Sequence, residues 1–167
     1  MGYQLWTSPI TGYRRTGTRL SDVRTLFEAG ITTRAIFEPL KSCRANDDVI
    51  PVIEIMRQRD FDVLGVLESK NTPIKGYVLR SDLTTGKVRD YIKIIAPNIL
   101  IAESAPIADL FRLLQQNSFL FVLNKTKIEG IVTQADLNKP PVRVYIFGLI
   151  SLLEMHMGFW GGITKIV

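Results

Sequence analysis

The 167-residue sequence predicts an α/β protein built from two similar halves. Three observations carry that prediction. The order strand, helix, strand, turn, strand, helix start occurs twice. Each copy closes on the same spacing of glycine and aspartate, Gly76-Tyr77-Val78-Leu79-Arg80-Ser81-Asp82 and Gly130-Ile131-Val132-Thr133-Gln134-Ala135-Asp136. Each copy has only about 50 residues, too few to bury a good core alone. Two copies facing each other, with pseudo-twofold symmetry and a cleft between them, resolve that shortage.

The elements follow in order. Residues 1–30 form an extension. Pro9, Gly12 and Gly17 make its start irregular, and Ser21 is placed as the N-cap of a short helix with Asp22 in the first turn. Leu20, Val23, Leu26 and Phe27 form its apolar stripe, and Gly30 stops it. The first repeat spans 31–84. Asn46-Asp47-Asp48 precedes a helix from Val49 to Arg59, with Pro51 in the first turn, where its missing N–H costs nothing. Ile50, Ile53 and Met56 share one face, widened by Val49 and Val52. A strand around Val63, Gly65 and Val66, a turn at Lys70–Pro73 and the segment 74–83 complete this copy.

The second repeat spans 85–138. Its helix runs from Ile107 to Gln116, with Ile107, Leu110 and Leu114 on one face, and strands follow at 119–123 and from 128. The two helices align at an offset of 57, Ile50 with Ile107. The closing segments align at 54, Gly76 with Gly130 and Asp82 with Asp136. A longer turn in the first copy absorbs the difference, since turn length is cheap and core periodicity is not.

Residues 139–167 are an apolar helix and tail. Val142, Ile146, Leu149, Leu153 and Met157 lie along one face, while Tyr145, Phe147, Ile150, Leu152 and Phe159 spread over the others. A helix apolar nearly all round is buried by protein or by lipid. Residues 144–163 would about span a bilayer, but Glu154 lies inside that span and lipid penalises it. The expectation is therefore burial in a homodimer or against a protein partner, through residues 142–159, or a helix leading onward into a longer protein.

Charge and chemistry exclude more than they select. The net charge of +5 sits mainly in residues 1–45, where seven basic side chains face three acidic ones. Arg14, Arg15 and Arg19 read as a solvated segment or as contacts to a small phosphate ligand. Aromatics do not alternate with the basic residues, which argues against nucleic acid. One Cys and one His make no conventional zinc site, and no metal site is expected. Cys43 reads as a buried structural thiol and His156 as a packing residue, so no catalytic set is evident and no enzyme is expected. There is no P-loop or dinucleotide fingerprint. The lone cysteine and the absence of a signal-like start point to the cytoplasm.

The repeated motif is the informative feature. Thr133 and Asp136 fit a capping box at a helix start. They equally fit a site in which the Asp136 carboxylate accepts hydrogen bonds from the vicinal hydroxyls of a ribose, with Asp82 as its counterpart.

The doubled pattern resembles a tandem pair of CBS domains, often called a Bateman module. The matching pieces are CRANDDVIPVIEIM, FDVLGV and IKGYVLRSDL, then IAESAPIADLFRLL, FLFVL and IEGIVTQADL, within 31–138. The resemblance implies two β-α-β-β-α repeats plus terminal helices, a regulatory role, and dimerisation through CBS faces. It implies a ligand such as AMP, ADP or ATP, with S-adenosylmethionine ranked behind, and a regulated protein partner. Asp136 would hold the ribose, with Thr133 beside ribose and phosphate and Ile94, Ile95 and Ala96 near the base. The second site would be built around Asp82, with Arg80 near phosphate and Thr33 to Ile36 on the base side. Leu79 stands there in place of the expected hydroxyl. The alternative is a structural or dimerisation module with non-binding clefts.

Overall fold

A computed structural model describes residues 20–70 and 72–163. The elements are α1 (Leu20–Gly30), β1 (Glu38–Pro39), β2 (Ser42–Arg44), α2 (Val49–Gln58), β3 (Val63–Leu67), β4 (Ile74–Leu79), β5 (Leu100–Ala102), α3 (Ile107–Leu114), β6 (Phe119–Asn124), β7 (Lys127–Thr133) and α4 (Pro140–Ile163). The chain divides into two compact units. One contains residues 37–103 and 113–134, and the other contains 20–36, 104–112 and 135–163 among those described.

The first unit holds both sheets. In one, β2 lies parallel to β3, and β3 pairs antiparallel with β4. In the other the order is β1-β7-β6-β5. The two hairpins carry the same irregularity: register slips between Val66 and Leu67 in β3 and between Val122 and Leu123 in β6. A bulge adds twist at a fixed place, so the repeat extends to this detail. Val49, Val52 and Met56 of α2 pack with Cys43, Leu64, Val66, Val78, Leu83 and Val88 in a core that Ile53, Phe61, Tyr91 and Ile92 border. Asp48 occupies the N-cap of α2, while Asp47 Oδ2 accepts the Arg44 N–H at 2.8 Å and closes the turn before it.

This burial corrects the helix alignment. Ile50 is 66 % exposed, whereas its expected counterpart Ile107 is fully buried. The buried sets are Val49, Val52 and Met56 in α2 and Ile107, Leu110 and Leu114 in α3, an offset of 58. Strand pairing gives 56 for β3 against β6, since Gly65 and Phe121 both oppose the first residue of the parallel edge strand. The closing strands stand at 54, as Leu79 opposes Val63 and Thr133 opposes Phe119. The first copy therefore carries two extra residues between helix and strand and two in the hairpin, rather than three in the hairpin alone.

In the other unit, α1 packs on α4. Gly148 makes that approach possible, because the Phe27 ring lies where a Cβ on residue 148 would stand. Tyr145 of α4 is buried with its ring 6.1 Å from that of Phe111, and burial, then the Glu28 charge, raises its phenol above the ordinary value. Thr32 bridges Pro106, Ile107 N–H donates to Ile31 O at 3.1 Å, and Thr33 N–H donates to Ala105 O at 2.9 Å.

The inward face of α4 is not the expected one. Val142, Tyr145 and Gly148 are buried and Leu149 and Leu152 half-buried, a spacing that follows the α1 contact. Ile146, Leu153 and Met157 point outward, joined by Val144, Phe147 and Ile150. Ser21 lies inside α1, which begins at Leu20, so it is not the cap residue. Leu26 of the expected α1 stripe is exposed and Phe27 is half-buried. The side chains of Leu20, Val23 and His156, and all of Arg14, Arg15 and Arg19, lie outside the described residues.

Candidate functional site

The two motif aspartates end in similar surroundings. β7 stops at Thr133, and the chain turns through a 3-10 helix, Gln134–Asn138, before α4 begins at Pro140. Asp136 is buried, with 9 % of its surface exposed. Its Oδ1 lies 2.9 Å from the Lys139 ammonium, which also donates to the Ile36 carbonyl at 2.6 Å. Lys139 therefore ties the turn before α4 to the segment that follows α1. Thr33 and Ile36 of that segment are themselves buried, and the Thr33 hydroxyl donates to Ala105 O at 3.1 Å.

Asp82 follows β4 in a turn and is more open. Its Oδ2 lies 2.6 Å from the Lys93 ammonium, and Ser81 Oγ donates to Oδ1 at 2.9 Å. The Lys93 hydrogen bond, and after it that of Ser81, hold this carboxyl below its usual range, while Asp82 holds the lysine above its own. Lys93 is fixed by backbone as well: its N–H donates to Tyr77 O at 2.8 Å and Tyr77 N–H donates to Lys93 O at 3.0 Å. Ile94 next to it is 85 % exposed, and Ile95 and Ala96 are half-buried. Arg80, expected near phosphate, is engaged by Asp62 at 2.6 Å and Asp60 at 3.6 Å. Leu79 ends β4 half-buried.

These contacts reverse the expected pairing of segments. Asp82 meets the segment leading into 94–96, and Asp136 is tied through Lys139 to Ile36. The reason lies in the strand order. β1 pairs with β7, and Lys93 bridges to Tyr77 of β4. The segment entering each repeat thus docks on the closing strand of the other repeat. The motif glycines serve that docking. A Cβ on Gly76 would lie 2.5 Å from Lys93 O and from Ile92 Cγ2, and one on Gly130 would occupy the Phe37 ring.

Two cavities lie away from these carboxylates. One, of about 360 Å³, is lined by Lys41, Cys43, Asp47, Val52, Ile55 and Arg59 among others. Another, of about 420 Å³, lies near the hairpin turns, with Leu67, Ile74, Leu123 and Ile128 in its lining. Neither includes an expected site residue. Burial, then the Asp47 charge, pushes the Cys43 thiol up to about 11. Because the thiolate is the nucleophile, Cys43 in the native protein should react with iodoacetamide at pH 7.5 at least about 100-fold more slowly than in urea. Mass spectrometry of timed samples measures this, and equal rates would contradict the buried-thiol assignment.

Among the described residues no three His, Cys, Asp or Glu side chains are grouped to hold a metal ion. No helix there is long and apolar enough to cross a membrane.

Residues 88–140 match the CBS-domain family model. No curated protein matches the sequence. Solved structures with similar folds include the AMP complex of CBSX2 (TM-score 0.58, 21 % identity, 69 % of this chain and 98 % of that one). An uncharacterized conserved protein from Pyrococcus horikoshii has a TM-score of 0.57 at 17 % identity, over 65 % of this chain and 90 % of that one. The ATP complex of the CBS domain of a bacterial CNNM/CorC-family Mg2+ transporter has a TM-score of 0.55 at 14 % identity, over 71 % and 91 %. At these identities the likeness is one of fold. The described elements have the architecture of tandem CBS repeats, two β-α-β-β-α-like units with terminal helices, and the family match itself covers about a third of the chain. CBS domains are regulatory and not catalytic.

The sequence spacing brought Asp82 and Asp136 to notice but not the two lysines that hold them. Lys139 stands three residues after Asp136, directly before Pro140-Pro141, a legible signal once the turn is known. Lys93 lies 11 residues beyond Asp82 and reaches it only because its segment docks on β4.

Proposed function

We propose that this chain is a cytoplasmic regulatory module that senses an adenine nucleotide, AMP, ADP or ATP, ahead of S-adenosylmethionine. The observation that carries this reading is the buried Asp136 carboxylate at the end of the motif, held within a tandem-CBS fold. A fixed carboxylate accepts from both hydroxyls of a ribose. Asp136 is the ribose acceptor, with Thr133 three residues before it at the end of β7, and the Thr33–Ile36 segment meets the base. Asp82 is the second acceptor, with Ile94, Ile95 and Ala96 on its base side. The known structures with AMP and ATP bound lend support by analogy of fold.

The mechanism is differential binding: a nucleotide that favours one arrangement of the terminal helices shifts the population toward it, and one that binds both equally shifts nothing. The exposed apolar residues Val144, Ile146, Phe147, Ile150 and Leu153 support a homodimer through α4, alongside CBS-face contacts, or a regulated protein partner. The same face supports the second reading, an assembly module whose carboxylates bind nothing.

Calorimetric titration with AMP, ADP, ATP and S-adenosylmethionine tests the choice. Saturable nucleotide binding is expected, and Asp136→Ala should weaken it by at least about 100-fold, the lower end of the worth of two hydrogen bonds to a charged group. Asp136→Asn, which keeps the shape, guards against a folding defect. A folded wild-type protein that binds no nucleotide at about millimolar concentration by calorimetry or by equilibrium dialysis would leave the assembly reading.

A further inference from the structure

We propose that Lys139 makes the Asp136 site selective for phosphorylated ligands, by passing from the carboxylate to a ligand phosphate. This inference rests on the reading of Asp136 as a ribose acceptor. Lys139 Nζ is 2.9 Å from Asp136 Oδ1 and 2.6 Å from Ile36 O. The side chain of Lys139 is 29 % exposed and that of Asp136 is 11 % exposed, so the lysine runs from the surface to a carboxylate set deeper than itself.

Two ribose hydroxyls that donate to Asp136 compete with the ammonium for the same oxygens. A nucleoside brings no anion in exchange for the contact that the ammonium gives up at Asp136, and loss of a charged contact at a half-buried site is costly. S-adenosylmethionine brings a positive sulfonium and makes the displacement worse. A 5′-phosphate restores an anion within reach of a four-carbon stem that rotates freely, the property that sets lysine apart from arginine. Ligand charge therefore decides whether breaking the resting ion pair is offset.

The other motif aspartate has the same arrangement. Asp82 and Lys93 stand 2.6 Å apart, with side chains 34 % and 45 % exposed. Water screens that pair more strongly, so its preference for phosphate is the weaker of the two. Arg80 pairs with Asp62 and Asp60 and not with a motif aspartate, so a ribose on Asp82 would not release it for this role.

The test compares AMP with adenosine by calorimetry on the wild-type protein and on Lys139→Met, which keeps the stem and removes the charge. Wild type should bind AMP about 10- to 100-fold more tightly than adenosine, the worth of one hydrogen bond to a charged group. Lys139→Met should lose most of that ratio through weaker AMP binding, with adenosine binding unchanged or tighter, and Lys139→Arg should keep part of it. Equal loss of both ligands in Lys139→Met would overturn the proposal and leave the sensor reading standing. So would equal wild-type affinity for AMP and adenosine, a result that does not depend on any variant folding. A wild type that binds neither ligand removes the sensor reading itself, and the proposal with it.

Discussion

Phe121→Ala should lower the stability of the fold by about 4 kcal/mol, the middle of the range for a large aromatic removed from a core. Phe121 is fully buried in β6, a strand that pairs on both sides, with Leu100 opposite in β5 and Ile131 opposite in β7. Its ring stands 5.2 Å from that of Tyr77 and 5.4 Å from that of Phe119, so edge contacts are lost as well as buried area. Its counterpart in the other sheet is Gly65. For a chain of this length the melting midpoint should fall by about 8–16 °C. Urea unfolding of the two proteins measures the difference, and a loss under about 1 kcal/mol would show that the cavity closes by rearrangement. Tyr77 lies inside the first motif, so loosening its ring partner should also raise amide exchange around Gly76–Asp82.

Gly76→Ala should cost about 3 kcal/mol, the upper part of the usual range for forced bulk in a packed interior. The added methyl meets Lys93 O, a backbone atom, at 2.5 Å. It can be accommodated only by parting the Tyr77–Lys93 bridge, with its hydrogen bonds of 2.8 and 3.0 Å. Gly65→Ala is the matched control. There the methyl meets the tips of Ile74 and Leu40 at 3.1 Å, and side-chain ends can give way. Thermal unfolding should therefore rank Gly76→Ala well below Gly65→Ala in stability. The reverse order would mean that the docking of Lys93 onto β4 contributes little. The Gly76 variant also carries Lys93 away from Asp82, so the second carboxylate should lose its counter-ion together with the fold's stability.

Much of this architecture is legible in the sequence because it is local. The helix α2 follows from Asn46-Asp47-Asp48 and the apolar spacing after it, and the hairpins follow from two strand runs separated by turn residues. The paired Gly and Asp spacings point to both carboxylates. Sequence periodicity could not rank Val49 against Ile50, adjacent apolar residues of similar size, and only burial separates them. On α4 nearly every position is apolar, so no stripe stands out, and the inward face is decided by where Phe27 meets Gly148. The partners of Asp82 and Asp136 depend on which segment docks on which strand, a non-local choice. That choice is also what gives the motif glycines their place: they leave room for a neighbouring strand, where the sequence alone showed only a spacing.

The crossing of β1 onto β7 has a consequence for how the protein is made. Glu38 and Pro39 leave the ribosome long before Ile131 and Gly130, their partners. At ordinary synthesis rates they wait roughly 5–20 s with that pairing unmade. The edge of the second sheet is thus sealed by some of the oldest residues of the fold, and its last-made strand has no cover until they return. A nascent chain stalled before β7 would leave β1 and one edge of β6 open to other chains, and early binding by a chaperone at 37–40 would leave the β7 edge uncovered.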